Sequence, residues 1–343
     1  LNFKLTNSQI NVLKDIRYDL ALKSPMNRLI QGDVGSGKTI VAVLSAAIVI
    51  SHGAQVAIMA PTEILAEQHY ISFLKFCQPV NINIALLTGN QKKREKEDIY
   101  FNLQSGKIQL IVGTHALIQQ NVKFQDLGMI IVDEQHRFGV EQRKALIDKG
   151  YAPEILALTA TPIPRTLAFT IHGDMNISII DELPQNRKPI ITKIVEPDHL
   201  DKVYNFMKKQ MDSGNQCFVI YPIIEESEKL DWKASDTGYK KLNDIILKDY
   251  NIGYINGKMK KENRDEQMML MSKNKIQCLV ATTVIEVGID IPNATVMVIE
   301  NAERFGLTQL HQLRGRIGRG NKQSYCILVK NNDSQDGTHR LNV

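Results

Sequence analysis

The sequence predicts an α/β fold of two domains, each a mostly parallel sheet flanked by helices. Short Val/Ile/Leu-rich runs alternate with segments of helical length almost throughout, and runs this apolar belong to strands buried on both faces. The alternation breaks at 181–189 (Asp-Glu-Leu-Pro-Gln-Asn-Arg-Lys-Pro), where two prolines and a polar run read as a linker. At 343 residues the chain is also longer than one ordinary core. The expected domains are therefore 1–186 and 187–343.

In the first domain strands are expected at 28–31, 55–60, 82–88, 108–112, 129–133 and 155–159, with helices at 38–51, 63–76 and 91–105. A second alternating series follows, with strands at 216–221, 252–255, 276–282, 295–300 and 324–329. Its helices fall at 199–212, 240–249, 261–271 and 307–314. The polar stretch 225–238 reads as an exposed loop, and the polar tail from Asn331 as frayed. The second half repeats the layout of the first but lacks its glycine-rich loop, so it cannot cradle a polyphosphate by itself.

Composition narrows the class. Hydrophobic residues at 43% and charged residues at 23% are ordinary for a globular protein. A net charge of +5 permits a phosphate-rich partner without demanding one. Cys77, Cys217, Cys278 and Cys326 are scattered with no C-x-x-C pair, so buried reduced thiols are expected rather than disulfides or a metal. No signal peptide is visible, and the longest apolar stretch, 40–50, is about half what a bilayer span needs. A reducing cytoplasm fits. The chain opens at Leu1 without methionine and is expected to be part of something longer.

The chemistry is concentrated in two motifs. Gly32-Asp-Val-Gly-Ser-Gly-Lys-Thr39 is a complete Walker A loop. Its glycines Gly32, Gly35 and Gly37, with Ser36, let backbone N–H groups curl around phosphates; Lys38 would reach the β- and γ-phosphates, and the Thr39 hydroxyl would bind Mg²⁺. About 95 residues on, an apolar run delivers Asp133 and Glu134 at a strand end, one carboxylate to hold the metal and one to orient a water. In this order the pair predicts binding and hydrolysis of a nucleoside triphosphate. Gln312-Leu-Arg-Gly-Arg-Ile-Gly-Arg319 adds Arg316 and Arg319, three apart and on one face if helical. A guanidinium aimed at a γ-phosphate neutralises charge as the bond breaks; a basic turn contacting nucleic acid is the plain alternative.

The ordered set of Walker A, Ala60-Pro-Thr-Glu63, Asp133-Glu-Gln-His136, Leu158-Thr-Ala-Thr-Pro162, the run 281–290 and Gln312–Arg319 resembles superfamily 2 helicases and translocases. Within them the chain is most similar to the RecG family, on Gly113-Thr-His-Ala-Leu-Ile118, Asp133-Glu-Gln-His-Arg-Phe-Gly139, Thr159-Ala-Thr-Pro-Ile-Pro-Arg-Thr166 and Glu303-Arg-Phe-Gly-Leu-Thr-Gln-Leu-His-Gln-Leu-Arg314. The transcription-repair coupling family shares Arg-Phe-Gly but usually reads Asp-Glu-Glu-Gln where this chain has Asp-Glu-Gln-His. DEAD-type RNA helicases would read Ala-Asp at Gln135-His136.

The resemblance implies two RecA-like domains with an ATP cleft between them, and it assigns roles. Phe3, Leu5, Thr6 and Gln9 are similar to the Q motif, Gln9 reading the adenine edge; a capped helix start at Thr6 explains the same residues. Asp133 would bind Mg²⁺, Glu134 would activate water, and His136 would pass the nucleotide state to Thr159 and Thr161. Arg316 and Arg319 would be arginine fingers with Gln312 beside them, while Gly288 and Asp290 would approach the ribose and phosphates. His115 and His136 could equally be satisfied polar residues near the cleft.

Pro61, Thr62, Thr88, Gly89, Gly113, Thr114, Thr282 and Thr283 occupy the family's phosphate-contacting positions. Small hydroxyls and exposed N–H groups at strand ends hold phosphate without reading sequence, although each alone would be an ordinary loop residue. Basic clusters at Lys92-Lys93-Arg94 and 258–261 could add attraction or simply be solvated.

The implied whole is a bacterial, nucleoid-associated cytoplasmic helicase, acting as a monomer on branched DNA, regressing forks and migrating Holliday junctions. An N-terminal wedge domain and a coupling hairpin after the last motor motif are expected of that family, and neither falls within these residues. The competing readings are a DNA-translocating ATPase of the transcription-repair coupling type and a binding module with a dead nucleotide site, the latter opposed by intact Lys38, Asp133 and Glu134.

Overall fold

The computed structural model describes residues 3–33, 35–135, 138–159, 175–182, 188–222, 236–282, 291–318, 320 and 322–331. The chain divides into two compact units, Leu1–Pro184 and Gln185–Val343.

The first unit carries strands β1 (Asn27–Gly32), β2 (Gln55–Met59), β3 (Ile84–Leu87), β4 (Leu110–Gly113), β5 (Leu127–Asp133), β6 (Glu154–Thr159) and β7 (Asn176–Ile180). They form one sheet in the order β3-β4-β2-β5-β6-β1-β7, and every pairing is parallel. Parallel pairing needs crossovers, and helices α1 (Asn7–Leu20), α2 (Lys38–Ser51), α3 (Glu63–Cys77), α4 (Lys93–Gln104) and α5 (Val140–Ile147) accompany the strands. The fully buried β2 and β4 explain why those segments read as unbroken apolar runs.

Three local features complete this unit. Helix α1 opens on a capping box in which Thr6 and Gln9 satisfy each other's backbone N–H groups. It is tied down by a buried ion pair, Arg28 Nε to Asp19 Oδ2 at 2.6 Å, and by Ser8, whose hydroxyl donates to Asp181 Oδ1 just after β7. Strand β7 is only half buried, so its apolar signal is weak. Helix α5 follows Gly139, after Arg-Phe-Gly, with Gln142 closing back on the Gly139 N–H.

The second unit contains β8 (Ile191–Val195), β9 (Gln216–Tyr221), β10 (Ile252–Ile255), β11 (Cys278–Thr282), β12 (Ala294–Ile299) and β13 (Tyr325–Val329), in the order β10-β11-β9-β12-β13-β8, again all parallel. Its helices include α6 (Leu200–Asp212), α7 (Lys261–Ser272) and α8 (Leu307–Arg314). The helix expected at 240–249 is present over 236–246, α-helical over 236–241 and π-helical over Leu242–Ile246. Strand β8 lies on the sheet edge with its first four residues exposed, which is why its pattern escaped an apolar reading.

The two strand orders can be laid over one another, β10-β11-β9-β12-β13-β8 on β3-β4-β2-β5-β6-β1. A pair of buried glutamines marks the match. Gln55 opens β2 and donates to the carbonyls of Leu103 and Ile108; Gln216 opens β9 and donates to those of Met271 and Ile276. Each staples the loop entering the next strand to the sheet.

All four cysteines are free and buried. Burial pushes the Cys278 and Cys326 thiols up to about 12, which keeps them protonated and inert. No described helix is long and apolar enough to cross a membrane.

Candidate active site

The site is built on the carboxyl ends of β1, β5 and β6, which are neighbours in the sheet. β1 ends at Gly32 and α2 begins at Lys38. Between them Gly35 (φ 81°) and Gly37 (φ 88°) take left-handed conformations that a side chain would strain. A Cβ on Gly37 would also collide with Gln9 Nε2, and one on Gly32 with the Ser36 hydroxyl. The loop's glycines are therefore required by backbone geometry and by close packing.

Lys38 Nζ donates to the Gly32 carbonyl at 2.7 Å and the Asp33 carbonyl at 3.0 Å, which fixes the ammonium at the mouth of the loop. The buried Ser36 hydroxyl has no hydrogen-bond partner among the described residues. Helix α2 begins at Lys38, so its positive end lies at the loop. A cradle of N–H groups, one ammonium and a hydroxyl fits a polyphosphate.

Gln9 bears directly on this loop. Its Nε2 donates to the Ser36 carbonyl at 2.8 Å, and its Oε1 accepts from the Thr6 N–H at 3.0 Å. Both functional atoms of the amide are thus engaged within the protein. The capped helix start is present, and Gln9 in addition buttresses the glycine-rich loop.

Asp133 closes β5, in register with Leu158 of β6, and Thr159 at the end of β6 is buried in register with Gln31. Burial works against charge on Asp133. The imidazole of His69, 2.7 Å away, outweighs it, with Lys38 and the Glu134 N–H helping, and the carboxyl sits below the usual range. Glu134 follows at φ 49°, a left-handed conformation uncommon outside glycine and frequent where a turn must aim a functional side chain. The Thr39 hydroxyl and the Asp133 carboxylate are hard oxygen ligands of the kind that suit Mg²⁺.

At the matching place in the second unit, just past β12, stands Glu300. Burial pushes its carboxyl up to about 7, Lys241 opposing and Glu303 adding to the shift. The strand-end carboxyl is thus shifted down in the first unit and up in the second.

The strand-end candidates for phosphate contact lie on the other half of the first sheet, after β2, β3 and β4. Thr62 is spent as the N-cap of α3, accepting from the Leu65 N–H. Gly89 is exposed, and its N–H donates to Glu63 Oε1 at 2.9 Å, while Asn90 Nδ2 donates to Glu63 Oε2 at 2.6 Å. Thr88, Gly113 and Thr114 are buried, and a Cβ on Gly113 would overlap the Leu87 carbonyl, which gives that glycine a packing reason. Pro61 is half-buried. In the second unit Thr282 is fully buried with an unpartnered hydroxyl among the described residues.

Helix α8 stops at Arg314, with half-buried Gln312 in its last turn. Arg316 lies in the turn beyond, outside the helix and ahead of Gly318 at φ 71°. His136, Thr161, Thr283, Gly288, Asp290 and Arg319 lie outside the described residues. His69 and Glu63 were missed by sequence reasoning: nothing in a helical His or Glu announces a partner 64 or 26 positions away.

A DEAD/DEAH box helicase family model matches residues 6–169, and a helicase conserved C-terminal domain model matches residues 198–321. The ATP-dependent DNA helicase RecG of Synechocystis sp. is 50% identical over 343 residues, covering 100% of this chain and 41% of that protein. RecG of Bacillus subtilis is 49% identical over the same length, covering 50% of that protein. The solved structure of RecG bound to a three-way DNA junction superposes with a TM-score of 0.88 at 43% identity, covering 100% of this chain and 45% of the other. Saccharomyces cerevisiae Dbp5, bound to RNA and ADP BeF3, gives 0.67 at 17% identity and shares the fold alone. The chain spans about half the length of the curated relatives it matches, or less.

Proposed function

The chain belongs to the RecG family of superfamily 2 helicases, over their motor region, and from that premise we propose that it is the ATP-driven engine of a helicase acting on branched DNA. The observation that carries this reading is the convergence of Lys38, Asp133 and Glu134 at one half of a sheet edge whose other half presents the loops after β2, β3 and β4.

Lys38 holds the β- and γ-phosphates, with Gly32, Gly35, Ser36 and Gly37 wrapping them. Thr39 and Asp133 would hold Mg²⁺, which when bound would supply charge neutralisation at the phosphates. Glu134 orients the attacking water and takes its proton. Of the two domains, 1–186 and 187–343, the second supplies Arg316 and Arg319 as arginine fingers by family position. His136, Gln312, Gly288 and Asp290 complete the set by family position. By family position Pro61, Thr62, Thr88, Gly89, Gly113, Thr114, Thr282 and Thr283 mark the loops that carry the DNA backbone, so binding is salt-sensitive and indifferent to base sequence. The whole protein acts as a monomer in the bacterial cytoplasm at the nucleoid, with a wedge domain that meets the duplex.

A fork-regression assay with the full-length protein tests this. ATP-dependent regression of a model fork, abolished by Lys38→Ala, is expected. Displacement of a bound obstacle without strand separation would favour the transcription-repair type of motor instead.

A further inference from the structure

The family's motif strings do not explain His69. It stands seven residues past Thr62 on α3, two helical turns into the helix. Its Nε2–H donates to Asp133 Oδ2 at 2.7 Å, and both side chains are shielded, 12% and 14% exposed. The ring also packs edge-on against Phe73, with centroids 6.5 Å apart, and Phe73 is fully buried. The imidazole is thus held from behind while it holds Asp133 in front.

Helix α3 reaches further. Its N-cap is Thr62, and its first residue, Glu63, binds the Gly89 N–H and the Asn90 amide. Lys96 of α4 adds a bond to the Gly89 carbonyl at 2.6 Å. A single rigid element therefore touches the loops after β2 and β3 at its start and the carboxylate that closes β5 two turns later.

We propose that His69 is a positioning residue that fixes the Asp133 carboxylate for the divalent cation and links that carboxylate, through α3, to the strand-end loops after β2 and β3. A carboxylate tethered by one donor loses the freedom to rotate away from its cation, and such supporting bonds govern affinity for the metal more than affinity for the rest of the ligand. This inference rests on reading Asp133 as a Mg²⁺ ligand.

Binding of a fluorescent ATP analogue, titrated with Mg²⁺ and repeated in EDTA, separates the possibilities. His69→Leu keeps the packing on Phe73 and removes the donor; His69→Gln places an amide N–H near the position of Nε2. The Leu variant should need roughly 10–100-fold more Mg²⁺ for half-maximal binding, the Gln variant within about threefold of wild type, and both should match wild type in EDTA. An unchanged Mg²⁺ midpoint in the Leu variant overturns the proposal. So does equal weakening with and without Mg²⁺, which would make His69 merely structural. A folded Gln variant as impaired as Leu would also refute the hydrogen bond as the agent, and if Leu does not fold, the Gln midpoint decides alone. Asp133→Asn is the control: if it leaves Mg²⁺ dependence intact, the reading of Asp133 fails, whereas Mg²⁺ dependence lost in Asp133→Asn but kept in His69→Leu sinks the His69 inference alone.

Discussion

Replacing Gln9 with alanine removes two hydrogen bonds at once. The carbonyl of Ser36 belongs to a residue with no exposed surface, so water cannot take the place of the Gln9 amide. Leaving a buried acceptor unsatisfied costs about 1–3 kcal/mol. The Thr6 N–H is half-exposed and can turn to solvent, so losing its bond to Oε1 costs nearer about 0.5–1 kcal/mol. Together the substitution should destabilise the first unit by roughly 1.5–4 kcal/mol, which for a unit of this size lowers the midpoint by roughly 3–16 °C. Thermal unfolding of the wild type and variant measures it directly. Gln9→Glu dissects the effect: it keeps the oxygen that caps Thr6 but has no donor for Ser36, so it should lose the loop contact and keep the helix start. Nucleotide titration then settles the remaining role. If Gln9 only braces the loop, alanine weakens ATP and GTP equally; if it also reads adenine, ATP suffers more. An alanine variant within about 0.5 kcal/mol of wild type, a surface-like value, would refute the bracing argument.

Three further outcomes follow from the site. Lys38→Ala should weaken nucleotide binding, whereas Glu134→Gln should bind normally and stop turnover, because one residue holds ground-state charge and the other acts on the water; normal turnover in Glu134→Gln would remove it from that role. Arg316→Ala should lower kcat by roughly 10³–10⁵ with little change in nucleotide affinity, and a variant at wild-type kcat would pass the finger role to Arg319. Glu300 rises from an ordinary value of 4.5 to about 7 on folding, so the folded chain keeps a proton the unfolded chain has lost. Its contribution is therefore present at pH 4.5 and below, declines as pH rises to about 7 and is gone above it. Glu300→Gln should flatten the fall in urea midpoint across that window; parallel wild-type and variant curves would contradict the shift.

The parts of the fold legible in the sequence were those where one force dominates. Helix α2 and strands β9 and β10 begin and end where expected, because polar residues or glycine flank each apolar run. Helix α8 likewise stops at Arg314, before a glycine. Edge strands β7 and β8 were invisible for the opposite reason: one face meets solvent, so Asn-Ile-Ser-Ile-Ile and Ile-Thr-Lys-Ile-Val lack a continuous apolar run. The glycine-rich loop and the Asp133-Glu134 pair were readable because phosphate chemistry demands those residue types in that order. What supports them was not readable. Gln9 under the loop, His69 on Asp133 and Glu63 on Gly89 are tertiary contacts between residues 26 to 64 positions apart, and no local pattern encodes them. Arg316 shows the limit of spacing arguments, since α8 ends two residues before it.

The central claim, that this nucleotide site is geared to branched DNA, is tested most directly by the steady-state ATP hydrolysis rate of this chain alone, with no nucleic acid, single-stranded DNA, duplex, a three-way junction or RNA at fixed salt, beside Lys38→Ala. The account predicts turnover that requires Lys38, rises with DNA, is greatest with the junction and is barely moved by RNA. A rate indifferent to DNA, or raised as much by RNA as by the junction, would contradict it.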